Sequence, residues 1–225
     1  MAEVLLKTEE LTKSFGGLVA IQELSMEVEA GEIHAGIGPN GAGKTTLIAQ
    51  LSGSLKPDSG RIVFENRDIT HVPEYRRSAL GLARSFQITS VLKNFSALDN
   101  VALAVQAHAG HSFRFWSKAR KAQELREPAL KVLEKIGLTD RMDIPASSLS
   151  HGEQRQLELA MALATRPKLL LLDEPMAGMG VEESQKMVEL LQDLKGTHTL
   201  VLIEHDMDAV FALADRITVL VYGES

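Results

Sequence analysis

Gly38-Pro39-Asn40-Gly41-Ala42-Gly43-Lys44-Thr45 has the G-x-x-x-x-G-K-[ST] spacing of a phosphate-cradling loop. The glycines let the backbone curl until successive N–H groups point at phosphate oxygens. Lys44 adds a full positive charge suited to β- and γ-phosphates, and Thr45 offers a hydroxyl to Mg²⁺. A glycine turn with no ligand accounts less well for the complete match. A second constellation, Asp173-Glu174, follows the apolar run Leu169-Leu170-Leu171-Leu172. Neighbouring residues at a strand end point in different directions, so the two carboxylates can take two roles. Asp173 would reach a metal through water, and Glu174 would polarise an attacking water or take its proton. Alone, the pair reads as two exposed acids at a strand end; beside a phosphate loop it reads as chemistry.

A third segment, Leu149-Ser150-His151-Gly152-Glu153-Gln154, opens a helix carrying Leu157, Ala160, Met161 and Ala164. Ser150 and Glu153 have capping-box spacing, which is enough to start the helix. A serine hydroxyl and a glycine amide at a helix N-terminus also make an anion site, and both readings can hold together.

The elements that position these groups follow from periodicity. Leu24, Met26 and Val28 alternate with Ser25, Glu27 and Glu29, the pattern of a half-buried strand. Residues 32–37 form a short strand that runs into the phosphate loop, and residues 46–51 a helix that leaves it. Pro57-Asp58-Ser59-Gly60 is a turn before a strand at 61–65. From about 90 to 165 the pattern is helical, with Pro128 dividing one stretch and Gly137 stopping another. Buried strands are expected at 169–172, 199–203 and 217–222. A helix between them carries Met187, Val188, Leu190, Leu191 and Leu194 on one face and is closed by Gly196. Strands alternating with helices imply a mainly parallel sheet covered on both sides.

Composition excludes several classes. The 225 residues are 44% hydrophobic and 24% charged, enough for a sizeable core and unlike a disordered chain. With no cysteine there is no disulfide, thiolate or zinc-ribbon chemistry. A net charge of −6 and 4% aromatics oppose a nucleic-acid footprint with stacking platforms. There is neither a secretory signal pattern nor an apolar run of membrane-spanning length.

The order of these three segments, over almost the whole chain, resembles the ATPase subunits of ABC transporters, with 149–154 similar to the family's signature motif. The resemblance implies ATP and Mg²⁺ as cofactors. It places nucleotide contacts at Gly38, Asn40, Gly41, Ala42, Gly43, Lys44, Thr45 and Thr46, with Phe15 stacked on adenine and Ser150 and Gly152 on the opposing nucleotide. It assigns Glu174, His205 and Gln87 to catalysis, and Thr45, Gln87 and Asp173 to the metal. Taken alone, Phe15 would be a core aromatic, His205 a structural histidine, and Gln87 uninformative; position relative to the stronger motifs gives them meaning. Two departures stand out: Ser150-His151-Gly152-Glu153 replaces the common Ser-Gly-Gly-Gln, and Gly180 in the D-loop segment 177–180 replaces the common aspartate.

The implied fold is a P-loop, RecA-like α/β core with an N-terminal antiparallel β-lobe, over residues 1–87 and 166–225. A helical subdomain at 88–165 is inserted and carries the signature segment. Family members continue past Gly223 with further strands and a helix, so the end at Ser225 reads as truncated. The segments Arg84-Ser85-Phe86-Gln87 and Glu174-Pro175-Met176-Ala177-Gly178-Met179 look like the subfamily serving branched-chain amino-acid importers; urea or amide importers and lipopolysaccharide exporters are the near alternatives. The implied partners are a second ATPase subunit in a head-to-tail dimer, transmembrane permease subunits and, indirectly, a solute-binding protein, at the cytoplasmic face of the inner membrane. The permease is expected to dock beside residues 88–94, and the aromatic segment 110–116 is as consistent with an interface as with internal packing. A soluble ABC ATPase acting on nucleic acid lacks its usual coiled coil or second ATPase domain here. A P-loop kinase would leave the signature segment and His205 without a role, and a non-hydrolysing scaffold would not need Glu174.

Overall fold

A computed structural model describes residues 3–85, 91–108 and 123–221. Contacts divide the chain into two compact units. One contains Met1–Arg84, Lys168–Pro175 and Leu191–Ser225; the other contains Ser85–Pro167 and Met176–Leu190. The second unit contains the 88–165 stretch expected to be a helical subdomain, together with Met176–Leu190.

The first unit holds two sheets. Strands β1 (Val4–Phe15) and β2 (Leu18–Glu29) form an antiparallel pair, extended by β4 (Ser59–Phe64) and β5 (Arg67–Asp68) in the order β2-β1-β4-β5. Leu24, Met26 and Val28 face inward and Ser25 and Glu27 outward, as their alternation requires. The second sheet is parallel, in the order β6 (Leu82–Arg84), β7 (Leu169–Asp173), β8 (Thr199–Ile203), β3 (Ile33–Ile37), β9 (Arg216–Val219). Every residue of β7 and β8 is buried, so these central strands read as continuous apolar runs. Some boundaries differ from expectation. Ser59 and Gly60 belong to β4 rather than to the preceding turn, and the last strand spans Arg216–Val219 rather than 217–222; Tyr222 lies outside the described residues.

Helix α1 (Lys44–Ser52) leaves the phosphate loop. A guanidinium supplied by α2 (Glu74–Ala79) holds its C-terminal end. Arg77, 1% exposed, donates from Nη1 to the carbonyls of Gln50 and Leu51, both at 2.8 Å. Its Nε donates to Val72 O at 2.8 Å and its Nη2 to Thr70 O at 3.0 Å. Two of these acceptors are end-of-helix carbonyls that have no partner within α1. Gly53 is confined to glycine by a φ of 86° and by Arg77, whose Nε lies 2.7 Å from where a Cβ would stand.

In the second unit, α3 (Ala97–His108), α4 (Gln123–Lys135) and α5 (His151–Ala164) pack together. Pro128 does not divide its helix: α4 runs through it. Proline removes only the bond to the carbonyl four residues earlier, near the start of α4, and Leu125, Ala129 and Leu133 still share the buried face. Gly137, at φ 74°, ends α4 in a Schellman arrangement: Leu138 N donates to Leu133 O at 2.9 Å and Gly137 N to Glu134 O at 3.1 Å. Buried Asn100 ties down the preceding loop, taking Leu92 N on Oδ1 at 2.8 Å and donating from Nδ2 to the carbonyls of Leu92 and Ser96 at 3.1 and 2.9 Å. Helix α6 (Val181–Leu194) buries Met187, Leu190, Leu191 and Leu194, with Val188 half-buried beside them. The short α7 (Met207–Leu213) is capped by Asp206 Oδ1, which accepts from the amides of Asp208 and Ala209.

Candidate nucleotide site

The parallel sheet explains why distant segments meet. Strands β7, β8 and β3 are neighbours in that order. Their C-terminal ends lead directly into Asp173-Glu174, Glu204-His205 and the phosphate loop, respectively. Ligands of open α/β sheets bind outside the carboxyl ends of the strands.

In the loop, Gly41 and Gly43 have φ of 83° and 95°. Gly43 is further constrained because a Cβ there would collide with the carbonyl oxygen of Ala20 in β2 and lie 2.7 Å from Ile21 Cδ1. A Cβ on Gly38 would collide with Leu220 O. Packing by the β-lobe and by the residue after β9 therefore demands both glycines. Asn40, Gly41 and Thr45 are exposed, Thr46 is half-buried, and Ala42 is buried. The Lys44 ammonium folds over the loop and donates to Gly38 O at 2.6 Å and Pro39 O at 2.9 Å.

Asp173 is 1% exposed. Its Oδ2 lies 3.4 Å from Arg84 Nη2, while its Oδ1 is buried with no hydrogen-bond partner among the described residues. Burial pushes the carboxyl up from its ordinary value, Arg84 opposes this, Glu174 adds to it, and Lys44 opposes it. Arg84 comes from β6, which pairs with β7 in parallel register. This partner of Asp173 was not legible in the sequence, where Arg84 stood out only as part of the segment before Gln87. Glu174 is half-buried and held at φ 50°. Its amide donates to Ile203 O at 2.9 Å, anchoring the residue after β7 to the end of β8. A left-handed conformation at a non-glycine residue is a strained geometry, and such geometries concentrate at functional positions.

His205 has a 65% exposed side chain, and its backbone N–H donates to the buried Glu204 Oε2 at 3.1 Å. Phe15, at the end of β1, is 50% exposed, so it is not a core aromatic; Lys13 Nζ lies 5.5 Å from its ring centroid. Gln87 lies outside the described residues, as do residues 110–116 and the 88–90 part of the expected docking segment. Leu92 and Lys93, also in that segment, are exposed.

In the second unit, Ser150 forms the complete capping box its spacing implies. Its Oγ accepts from Glu153 N at 3.1 Å, and Glu153 Oε2 accepts from Ser150 N at 2.8 Å. Gly152 is the second residue of α5 and is buried. Among the described residues no cluster of three or more His, Cys, Asp or Glu stands ready for a resident metal. The donor set fits instead a cation shared with a phosphate ligand: an exposed Thr45 hydroxyl and a buried Asp173 oxygen that lacks a partner among the described residues.

A parallel sheet with a glycine-built phosphate loop, an acid pair and a histidine on one edge defines a P-loop nucleotide-binding cassette. The ABC transporter family matches residues 21–177, and the chain belongs to that family, whose cassettes are ATPases. It is 37% identical over 232 residues to the high-affinity branched-chain amino acid transport ATP-binding protein LivG of Salmonella typhimurium, covering 99% of this chain and 90% of the relative. BraF of Pseudomonas aeruginosa, described in the same words, is 36% identical over 230 residues with the same coverage. A crystal structure of the ADP conformation of an ATP-binding cassette of an ABC transporter superposes with a TM-score of 0.87 at 33% identity, over 98% of this chain and 89% of that one. Among the described residues, no helix is long and apolar enough to cross a membrane.

Proposed function

We propose that this chain is the ATP-hydrolysing subunit of an importer for branched-chain amino acids, working as a head-to-tail dimer against permease subunits at the cytoplasmic face of the membrane. The observation that carries the reading is the convergence of the phosphate loop, Asp173-Glu174 and His205 at adjacent strand ends of one sheet. The similarity to LivG and BraF supplies the solute class.

The loop amides of Gly38, Asn40, Gly41, Ala42 and Gly43 and the start of α1, with Thr46 in its first turn, bind phosphate oxygens. Lys44 exchanges its two loop carbonyls for β- and γ-phosphate oxygens, a stronger charge-assisted pairing. Thr45 and Asp173, with Gln87, would hold Mg²⁺, which when bound would neutralise phosphate charge. Glu174 orients the attacking water and takes its proton. His205 stabilises charge at the γ-phosphate, and Phe15 offers a ring face to adenine. Ser150 and Gly152 receive the nucleotide held by the partner subunit, so one chain alone has an incomplete site. The permease docks around Leu92 and Lys93, held in place by Asn100.

The test combines Glu174→Gln with co-purification. The variant should keep ATP affinity and lose turnover by ~10²–10⁴-fold, the range of general-base effects. Mild-detergent extracts should yield membrane subunits whose soluble receptor binds leucine, isoleucine or valine. Normal hydrolysis by the variant would place the base elsewhere, and a receptor selective for another solute would reject the amino-acid assignment.

A further inference from the structure

Glu183 is the third residue of α6, and its carboxylate is not used by the chemistry above. Ser150 Oγ donates to Glu183 Oε1 at 3.0 Å, and Gly180 N donates toward Oε2 at 3.4 Å. A Cβ built on Gly152 would lie 2.7 Å from Oε1 and 2.6 Å from Cδ. The carboxylate therefore lies against the backbone of the second residue of α5, in the space a side chain there would take. The Ser150 hydroxyl accepts from Glu153 N and has one proton, which goes to Glu183. The positive end of α5 already receives an anion, supplied by the chain itself.

We propose that Glu183 is an internal stand-in for phosphate at the N-terminus of α5: it occupies Ser150 and Gly152 in the free chain and competes with nucleotide for them. This rests on the reading of Ser150 and Gly152 as contacts to the partner's nucleotide. The competition has two physical sources. Carboxylate and phosphate claim the same serine proton, and like charges a few ångströms apart repel. Phosphate therefore requires Glu183 to turn away, and the same carboxylate touches Gly180, so the exchange is felt at the D-loop segment where α6 begins. The bland alternative is that Glu183 only caps α6 by reaching back to Gly180. The shorter of its two bonds, however, goes to Ser150 rather than to that amide.

The experiment uses the chain carrying Glu174→Gln and measures by sedimentation the ATP concentration that gives half-maximal dimer. Glu183→Gln keeps an acceptor of the same shape without the charge. It should lower that concentration about five- to tenfold, the difference between a charged and a neutral hydrogen bond. Glu183→Ala should lower it at least as much. Ser150→Ala should raise it. Higher ATP requirements for both Glu183 variants would make Glu183 a supporter of nucleotide and overturn the proposal. An unchanged requirement with a lowered unfolding temperature would reduce it to an α6 cap and also overturn it. No effect of Ser150→Ala would reject the underlying reading instead, and a chain that ATP never dimerises, Glu183 variants included, would reject both.

Discussion

Truncation of Arg77 is the most demanding test of how the phosphate-loop helix is held. Burial draws the guanidinium down to about 10, so it remains charged at neutral pH. It is surrounded by the carbonyls of Gln50, Leu51, Thr70 and Val72. Arg77→Ala would leave those acceptors facing a space of arginine size. Leaving buried carbonyls without a donor costs about 1–3 kcal/mol each before the chain relaxes, so a total of about 3–5 kcal/mol is expected. For a chain of this length each kcal/mol moves the midpoint by roughly 2–4 °C, so a drop of about 6–20 °C is expected. Arg77→Met separates filling from hydrogen bonding: it restores volume without a donor and should recover less than half the loss. Thermal unfolding followed by circular dichroism gives the midpoints, and hydrogen exchange at Gly53, whose amide donates to Gln50 O, reports the end of α1 directly. A methionine variant as stable as the parent would show that guanidinium desolvation cancels its four bonds, refuting the reasoning.

Asp173→Asn removes a carboxylate whose ionisation burial disfavours. A carboxyl raised in the folded state loses stability as pH rises through its folded value, so at neutral pH the asparagine chain should melt higher without nucleotide. The same chain should lose turnover by about 10–100-fold with its outer-shell metal contact; a lower melting point would contradict the sign. His34 in β3 is 1% exposed, with Nδ1 3.0 Å from Glu32 Oε1 and Nε2 2.8 Å from Thr218 Oγ1. Burial lowers its basicity more than Glu32 restores it. Below an unfolded-state value of ~6.5 the unfolded chain takes a proton that the folded chain refuses, so stability should fall as pH drops from there. His34→Gln should flatten that limb of a urea-midpoint profile; an unchanged slope between pH 6.5 and 5 (roughly the window set by the ordinary histidine value) would assign it to other groups.

The sequence by itself determined the features whose physics is local. Glycine, lysine and threonine at fixed spacing dictate a curled loop, an alternating apolar pattern dictates which face of β2 is buried, and serine three residues before glutamate dictates the cap of α5. Each depends on atoms a few residues apart, so spacing alone carries it. Pro128 misled because the cost of proline depends on where in the helix the missing bond falls, and the chain around it does not state the helix start. Only the tertiary structure decided the order of strands that places Asp173 beside Arg84, 89 positions apart, and His34 beside Thr218, 184 apart. It alone put Arg77 under the end of α1 and Glu183 on Ser150, 33 residues away. Such pairings form where the chain returns after closing a long loop, and loop closure depends only weakly on the intervening length. Sequence separation therefore says almost nothing about them, and the packing that selects one partner among many lies in the folded core.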